Sequence, residues 1–186
     1  AKGLQRLLGL GSYQTAWVWL HKLRRAMVRP GRDKLTGSVE VDDTFLGGVE
    51  PGVAGRESET KARVVVAVEI TGRKIGRVRL RRVPDFSAGS LVPFVEASVE
   101  PGSEVRTDGW KGYEPLGTKG YRHRVKVIGK DRTRATRLFP SVHRVIALLK
   151  RWLGATHQGR VEEKHLQAYL DEFAFRFNRR KSRHVG

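Results

Sequence analysis

The sequence predicts a mixed α/β domain, one sheet flanked by helices, with a short helical segment ahead of it. Three observations carry that prediction. Apolar runs of strand length follow one another closely at residues 38–46, 62–70 and 74–83, with turn signals between them. A helical pattern at 87–98 then leads to another strand, ending at Asp108. Two long amphipathic helical patterns, about 142–153 and 162–179, finish the chain. Elements in this order build a layered α/β arrangement.

Taken in order, residues 4–28 read as two helices around a tight turn. Leu4, Leu7 and Leu8 share a face, Gly9 to Gly11 interrupt it, and Ser12 can cap a second helix carrying Ala16, Trp19, Leu20, Leu23 and Met27. Pro30-Gly31 ends that helix, and a polar stretch to Thr36 serves as a linker. The expected division is a helical segment at 1–30 and a main domain at 37–182. In the main domain, a Gly-rich loop at 47–59 separates the first two strands, and Thr71-Gly72-Arg73 can turn the chain between the second and third. The 87–98 helix buries Leu91, Val92, Phe94 and Val95, and Pro101-Gly102 closes it. A short helix and loop at 112–120 and a brief strand at 123–128 follow, then a basic segment at 129–140. The last helix has an apolar stripe of Leu166, Tyr169, Leu170, Phe173 and Phe177. Three antiparallel strands, a helix, further strands and terminal helices are compatible with an RNase H-like fold.

Composition narrows the partners. The chain of 186 residues has 37 Lys and Arg against 19 Asp and Glu, a formal charge of +18, and a sequence pI near 11.0. Like charges at that density repel unless a polyanion neutralises them, so nucleic acid is the expected partner. The basic residues are spread along the chain, which favours a broad electropositive face over a basic arm. No apolar run approaches the ~20 residues of a membrane span, and no signal peptide is visible. A cytoplasmic, nucleoid-associated protein is the expectation. Without cysteine the chain has no disulfide or thiolate zinc site of its own.

Against this basic background two aspartates stand out, each closing a short, mostly apolar strand: Asp42 in Val39-Glu40-Val41-Asp42-Asp43 and Asp108 in Val105-Arg106-Thr107-Asp108-Gly109. Strand alternation puts Asp42 on the face opposite Val39 and Val41. Two such carboxylates, completed by water and phosphate oxygens, offer the hard oxygen ligands that Mg²⁺ requires. Strand-end aspartates also commonly cap turns, and on spacing alone both readings stand. The 142–153 helix has a core stripe of Val142, Val145, Ile146, Leu149 and Leu153. His143 and Lys150, seven residues apart, lie nearly in line on one flank of it, either facing the acids or simply solvated.

These stretches identify a resemblance. Val39 through Gly48, Thr107-Asp108-Gly109-Trp110-Lys111-Gly112-Tyr113, and a long block from Val142 through Lys150-Arg151-Trp152, Thr156-His157-Gln158-Gly159 and His165 to Phe173 and Arg176-Phe177-Asn178-Arg179-Arg180 resemble the catalytic domain of bacterial insertion-sequence transposases. The branch is the ISXO type of the DDE superfamily. The resemblance implies an RNase H-like fold, two divalent metals (Mg²⁺, with Mn²⁺ possible), cleavage at the insertion-sequence ends, and strand transfer into target DNA by a homo-oligomer. It matches Asp42 and Asp108 to the first two catalytic and metal-binding acids. His143 lies 35 residues (143 − 108) beyond Asp108, where the superfamily places its third acid, and Lys150 falls at the family's basic position seven residues later. Where the family expects Glu or Asn this chain has His143, a neutral ligand that suits Mn²⁺ better than Mg²⁺. Glu162, Glu163 and Glu172 are the other acids able to take that place, although all three lie on a different helix and read as solvated charges.

The residues expected on DNA are Lys150, Arg132, Arg134, Arg137, Arg144, Arg151, Arg179, Arg180 and Lys181. The amino-terminal pair resembles a partial helix-turn-helix, with Ser12-Tyr13-Gln14-Thr15 towards bases and Lys22, Arg24 and Arg25 near phosphates; an ordinary helical hairpin is the equal alternative. Trp110 and Trp152 read as core residues before base-stacking ones, and His157 and His165 as helix-end or loop groups. Family members carry a cysteine zinc ribbon upstream, so the sequence reads as a fragment. Two other functions stay open: a DNA-binding remnant with an impaired site, and an RNase H-like nuclease that cuts without joining.

Overall fold

The computed structural model describes residues 1–29, 31–47, 61–127, 137–157 and 161–182. Five strands form one sheet: β1 (Ser38–Leu46), β2 (Ala62–Thr71), β3 (Lys74–Val83), β4 (Glu104–Thr107) and β5 (Arg122–Val125). Their order is β3-β2-β1-β4-β5. The first three are antiparallel neighbours, whereas β4 runs parallel to β1 and β5 parallel to β4. This mixed sheet with helices on both faces is the RNase H-like arrangement. Thr71 pairs with Lys74 across the expected hairpin turn, where Gly72 takes a positive φ of 62°. Helix α3 (Ala88–Ser98) supplies the crossover that a parallel β4 requires. The 112–120 region is a 3₁₀ helix, Lys111–Thr118.

Each face of the sheet has its own core. On one, Val64, Val66 and Val68 of β2 and Val78 and Leu80 of β3 pack beneath α4 (Pro140–His157) and α5 (Glu163–Arg179). On the other, Val39, Val41, Val65 and Ala67 pack beneath α3 and the 3₁₀ helix. Burial on both faces explains why β2 reads as an unbroken Val run rather than an alternation. All five residues of the expected α4 stripe are buried. Alternation along β1 turns Val39 and Val41 towards α3, and therefore Glu40 and Asp42 towards α4.

The amino-terminal helices α1 (Lys2–Leu7) and α2 (Tyr13–Ala26) form as expected, and the Ser12 hydroxyl accepts a hydrogen bond from the Thr15 amide at 3.4 Å. The buried face of α2 differs from the expected one. Ala16 is buried, but Trp19 and Leu23 are 51% and 44% exposed. Packing against α5 uses Trp17, His21 and Arg24 instead. Trp17 meets the His165 ring edge-on and His21 meets it at a tilt, with ring centroids 5.1 and 4.8 Å apart. The Arg24 guanidinium lies 4.5 Å from the centre of the Tyr169 ring and donates to Glu172 at 2.7 Å. A buried charged pair cannot be left half-made without a large penalty, so this pair, rather than the apolar stripe, sets the rotation of α2. Among the described residues no helix is long and apolar enough to cross a membrane.

Candidate active site

The two aspartates are brought together by strand register. Parallel pairing of β1 and β4 matches Ser38 with Glu104, Val39 with Val105 and Glu40 with Arg106, and there it ends. The same offset carried two residues further aligns Asp42 with Asp108, on the face turned towards α4. Asp42 does not end its strand: β1 continues to Leu46, paired with β2. What ends at Glu40 is the ladder to β4, so the two acids stand where β1 and β4 part company, at the carboxyl end of β4, the usual crevice for a ligand in an α/β sheet. Asp108 is half-buried, and its Oδ1 accepts the Trp110 amide at 3.1 Å, which fixes the turn that follows.

The third component arrives from α4. His143 Nε2 lies 3.6 Å from Asp42 Oδ2, beyond hydrogen-bonding distance, and is itself buried with no hydrogen-bond partner. Burial lowers the imidazole pKa; Asp108 opposes that shift and Lys150 reinforces it. Lys150, two turns on, lies on the exposed flank of α4. Desolvation of its ammonium lowers its pKa, against the pull of Asp42 and with the push of Lys61. Asp42, Asp108, His143, Lys150 and Lys61 therefore share one electrostatic neighbourhood. Lys61, one residue ahead of β2, had no signal in the sequence beyond its charge.

The donor types, carboxylate oxygen and imidazole nitrogen, are those that bind divalent ions. Two ligands each about 2.1 Å from a common ion stand about 3.0 Å apart when adjacent and about 4.2 Å when opposed. The 3.6 Å between His143 Nε2 and Asp42 Oδ2 lies between those two values, so one octahedral ion would require the pair to shift; an unpartnered buried nitrogen is what such a ligand would satisfy. The fit is that of a pair: among the described residues no group of three His, Asp or Glu closes into a complete metal cage.

The other expected residues sort themselves by contact. Glu172 is no solvated charge: it is buried, paired to Arg24 at 2.7 Å and to Arg176 at 2.9 Å, and its role is to join α2 to α5. Glu163 pairs with Arg82 across to β3, and Glu162 with Lys164 at 2.7 Å, so neither is drawn to the acids. Arg24, expected near phosphate, is likewise consumed by the Glu172 pair. Arg180 clamps the β2–β3 hairpin, donating to the Ile75 and Gly76 carbonyl oxygens, while Arg179 lies 3.8 Å over the Phe175 ring. Arg137, Arg144, Arg151 and Lys181 are exposed. Arg132 and Arg134 lie outside the described residues, as do the Gly-rich loop beyond Gly47 and the His157 side chain. Trp152 packs on Phe173 with ring centroids 5.9 Å apart, as a core reading requires, whereas Trp110, although it donates its indole N–H to the Phe86 carbonyl oxygen at 2.7 Å, is 36% exposed and is not a core residue. His165 is part of the α2–α5 seam. The sequence reading missed Glu40, which is buried and whose Oε2 accepts the Ser141 and Val142 amides at 3.0 and 2.9 Å. Burial raises its pKa, and the two amides, Arg106 and Lys126 counter that rise.

Several known proteins resemble the chain. Among solved structures, the catalytic core domain of BIV integrase shares 17% identity, covering 81% of this chain and 87% of its own, with a TM-score of 0.48. A simian T-cell lymphotropic virus intasome in complex with PP2A regulatory subunit B56 gamma follows at 16%, 89% and 57%, with 0.42. The Mos1 transposase paired-end complex with left transposon end gives 14%, 86% and 54%, with 0.41. No curated protein matches in sequence. The family comparison is direct: residues 34–178, which include Asp42, Asp108 and His143, match the ISXO2-like transposase domain. With most of its length inside that match, the chain belongs to the ISXO2-like transposase family.

Proposed function

We propose that this domain is a DDE-type transposase that cleaves DNA at insertion-sequence ends and joins the freed end to target DNA. The observation that carries the reading is the 3.6 Å approach of His143 to Asp42, beside the end of a β1–β4 ladder that stops two residues short of Asp42 and Asp108. In the first step water attacks a phosphorus and the bond to the 3′ oxygen breaks, leaving a 3′-OH. In the second that hydroxyl attacks a target phosphodiester, forming one P–O bond as another breaks and a target 3′ oxygen leaves. Asp42 and His143 would hold the divalent ion, with Asp108 as the further acid that the family resemblance assigns, and Lys150 would grip the phosphate beside them. The ion when bound supplies Lewis-acid stabilisation of charge at phosphorus and eases deprotonation of the nucleophile.

A surplus of cations, +18 over the chain, suits DNA as partner. The exposed Arg137, Arg144 and Arg151 are the phosphate contacts we favour, with residues 1–30 as a DNA-binding segment and 37–182 as the catalytic domain. A homo-oligomer acting on the nucleoid completes the reading. The test is a nicking and joining assay with a precut end, in Mg²⁺ and in Mn²⁺, on wild type beside His143→Glu and His143→Ala. Metal-dependent joining by wild type, lost in His143→Ala and enhanced under Mg²⁺ in His143→Glu, supports the proposal. Cutting without joining makes the protein a nuclease, and metal-independent binding without cutting makes it a remnant.

A further inference from the structure

Glu40 links the strand that bears Asp42 to the helix that bears His143. The first turn of a helix leaves amide groups without internal partners, and in α4 each of them can be traced. Pro140 has no N–H. The Ser141 and Val142 amides both donate to Glu40 Oε2, and the His143 amide donates to the Phe139 carbonyl oxygen at 3.2 Å. Phe139, immediately before the helix, has no side-chain oxygen with which to cap it. The cap comes instead from a residue 101 positions earlier in the chain, and its negative charge suits the positive end of the helix dipole.

The geometry closes a ring. Glu40 and Asp42 are alternate residues on one face of β1, about 7 Å apart along the strand. Val142 and His143 are consecutive on α4. The capping bonds join one end of this quartet, and the 3.6 Å approach of His143 Nε2 to Asp42 Oδ2 joins the other. We propose that Glu40 is a positioning residue for the metal site: by capping α4 from β1 it sets the height and rotation of that helix, and so holds the His143 imidazole at Asp42. The inference rests on the reading of His143 as a metal ligand.

Mn²⁺ titration of the whole chain, followed by electron paramagnetic resonance, tests it without requiring turnover, on wild type, Glu40→Ala, Glu40→Gln, Glu40→Asp and His143→Ala. Glu40→Ala is expected to weaken Mn²⁺ binding about 10–100-fold, the usual cost of losing a group that orients a ligand. Glu40→Gln, which keeps an acceptor oxygen in place, recovers most of it. Wild-type affinity in a folded Glu40→Ala protein overturns the proposal, even if its melting temperature falls. Should Glu40→Ala fail to fold, the shorter Glu40→Asp decides by the same criterion. His143→Ala with wild-type affinity sinks the ligand reading itself. Weak binding in His143→Ala beside wild-type binding in Glu40→Ala sinks only the positioning.

Discussion

Removing the Glu69 carboxylate should give a stability loss that disappears in acid. Glu69 lies on β2, where the pairing with β3 shifts register between Val68 and Ile70. It accepts the Thr36 amide at 2.9 Å and the Arg77 guanidinium at 2.6 Å, tying the approach to β1 against β3. Burial alone would raise its pKa, but the Arg77 guanidinium and the Thr36 and Arg77 amides outweigh burial and bring it from 4.5 down to about 2. A depressed carboxylate pKa stabilises the fold fully above pH 4.5, and that stabilisation drains away as pH falls from 4.5 towards 2. At about 1.4 kcal/mol per pKa unit the ceiling is about 3 kcal/mol. Arg77 is 35% exposed, so solvent screening reduces the expected value to about 1–2 kcal/mol. Urea unfolding of wild type and Glu69→Gln should differ by that amount at pH 7, and the difference should shrink to a small fraction of that by pH 2.5. A difference that stays constant between pH 7 and pH 2.5 refutes the reasoning.

Further expectations concern the site and its supports. Asp42→Asn and Asp108→Asn should each abolish nicking and joining while leaving DNA affinity within about threefold in a gel-shift titration; either variant retaining full strand transfer contradicts the assignment. Arg24→Ala leaves Glu172 buried with only Arg176 beside it, so urea unfolding should show a loss of about 3 kcal/mol, and a loss below about 1 would mean the pair does not anchor α2. Arg151→Gln should weaken DNA binding similarly for all sequences and flatten the log–log salt dependence by about one unit, and an unchanged slope would remove Arg151 from the phosphate contacts.

Much of the site was legible because its residues obey local rules. Period-two alternation put Asp42 opposite Val39 and Val41, helical periodicity put His143 and Lys150 on one flank of α4, and both hold. Three things were not legible. The 38–46 strand is legible, but Asp42 also reads as a strand end, and what stops near it is only the ladder to β4. The apolar stripe of α2 misled because an Arg–Glu pair outranked it in choosing the buried face. Glu172, a charged residue beside Asp171 on an amphipathic helix, reads as solvated until folding brings Arg24 to it from 148 residues away.

Sequence patterning alone determined which segments are strands and helices, which faces of them are apolar, and that a basic chain sets aspartates against short apolar strands. Those properties follow from neighbours a few residues apart, through side-chain periodicity and turn chemistry. The tertiary structure decided which elements meet. The β1–β4 ladder that ends two residues short of Asp42 and Asp108, the Glu40 cap on α4 and the Arg24–Glu172 seam all join residues far apart in the chain. Buried amides and buried charges must find partners wherever the fold provides them, and no local pattern encodes which partner that will be.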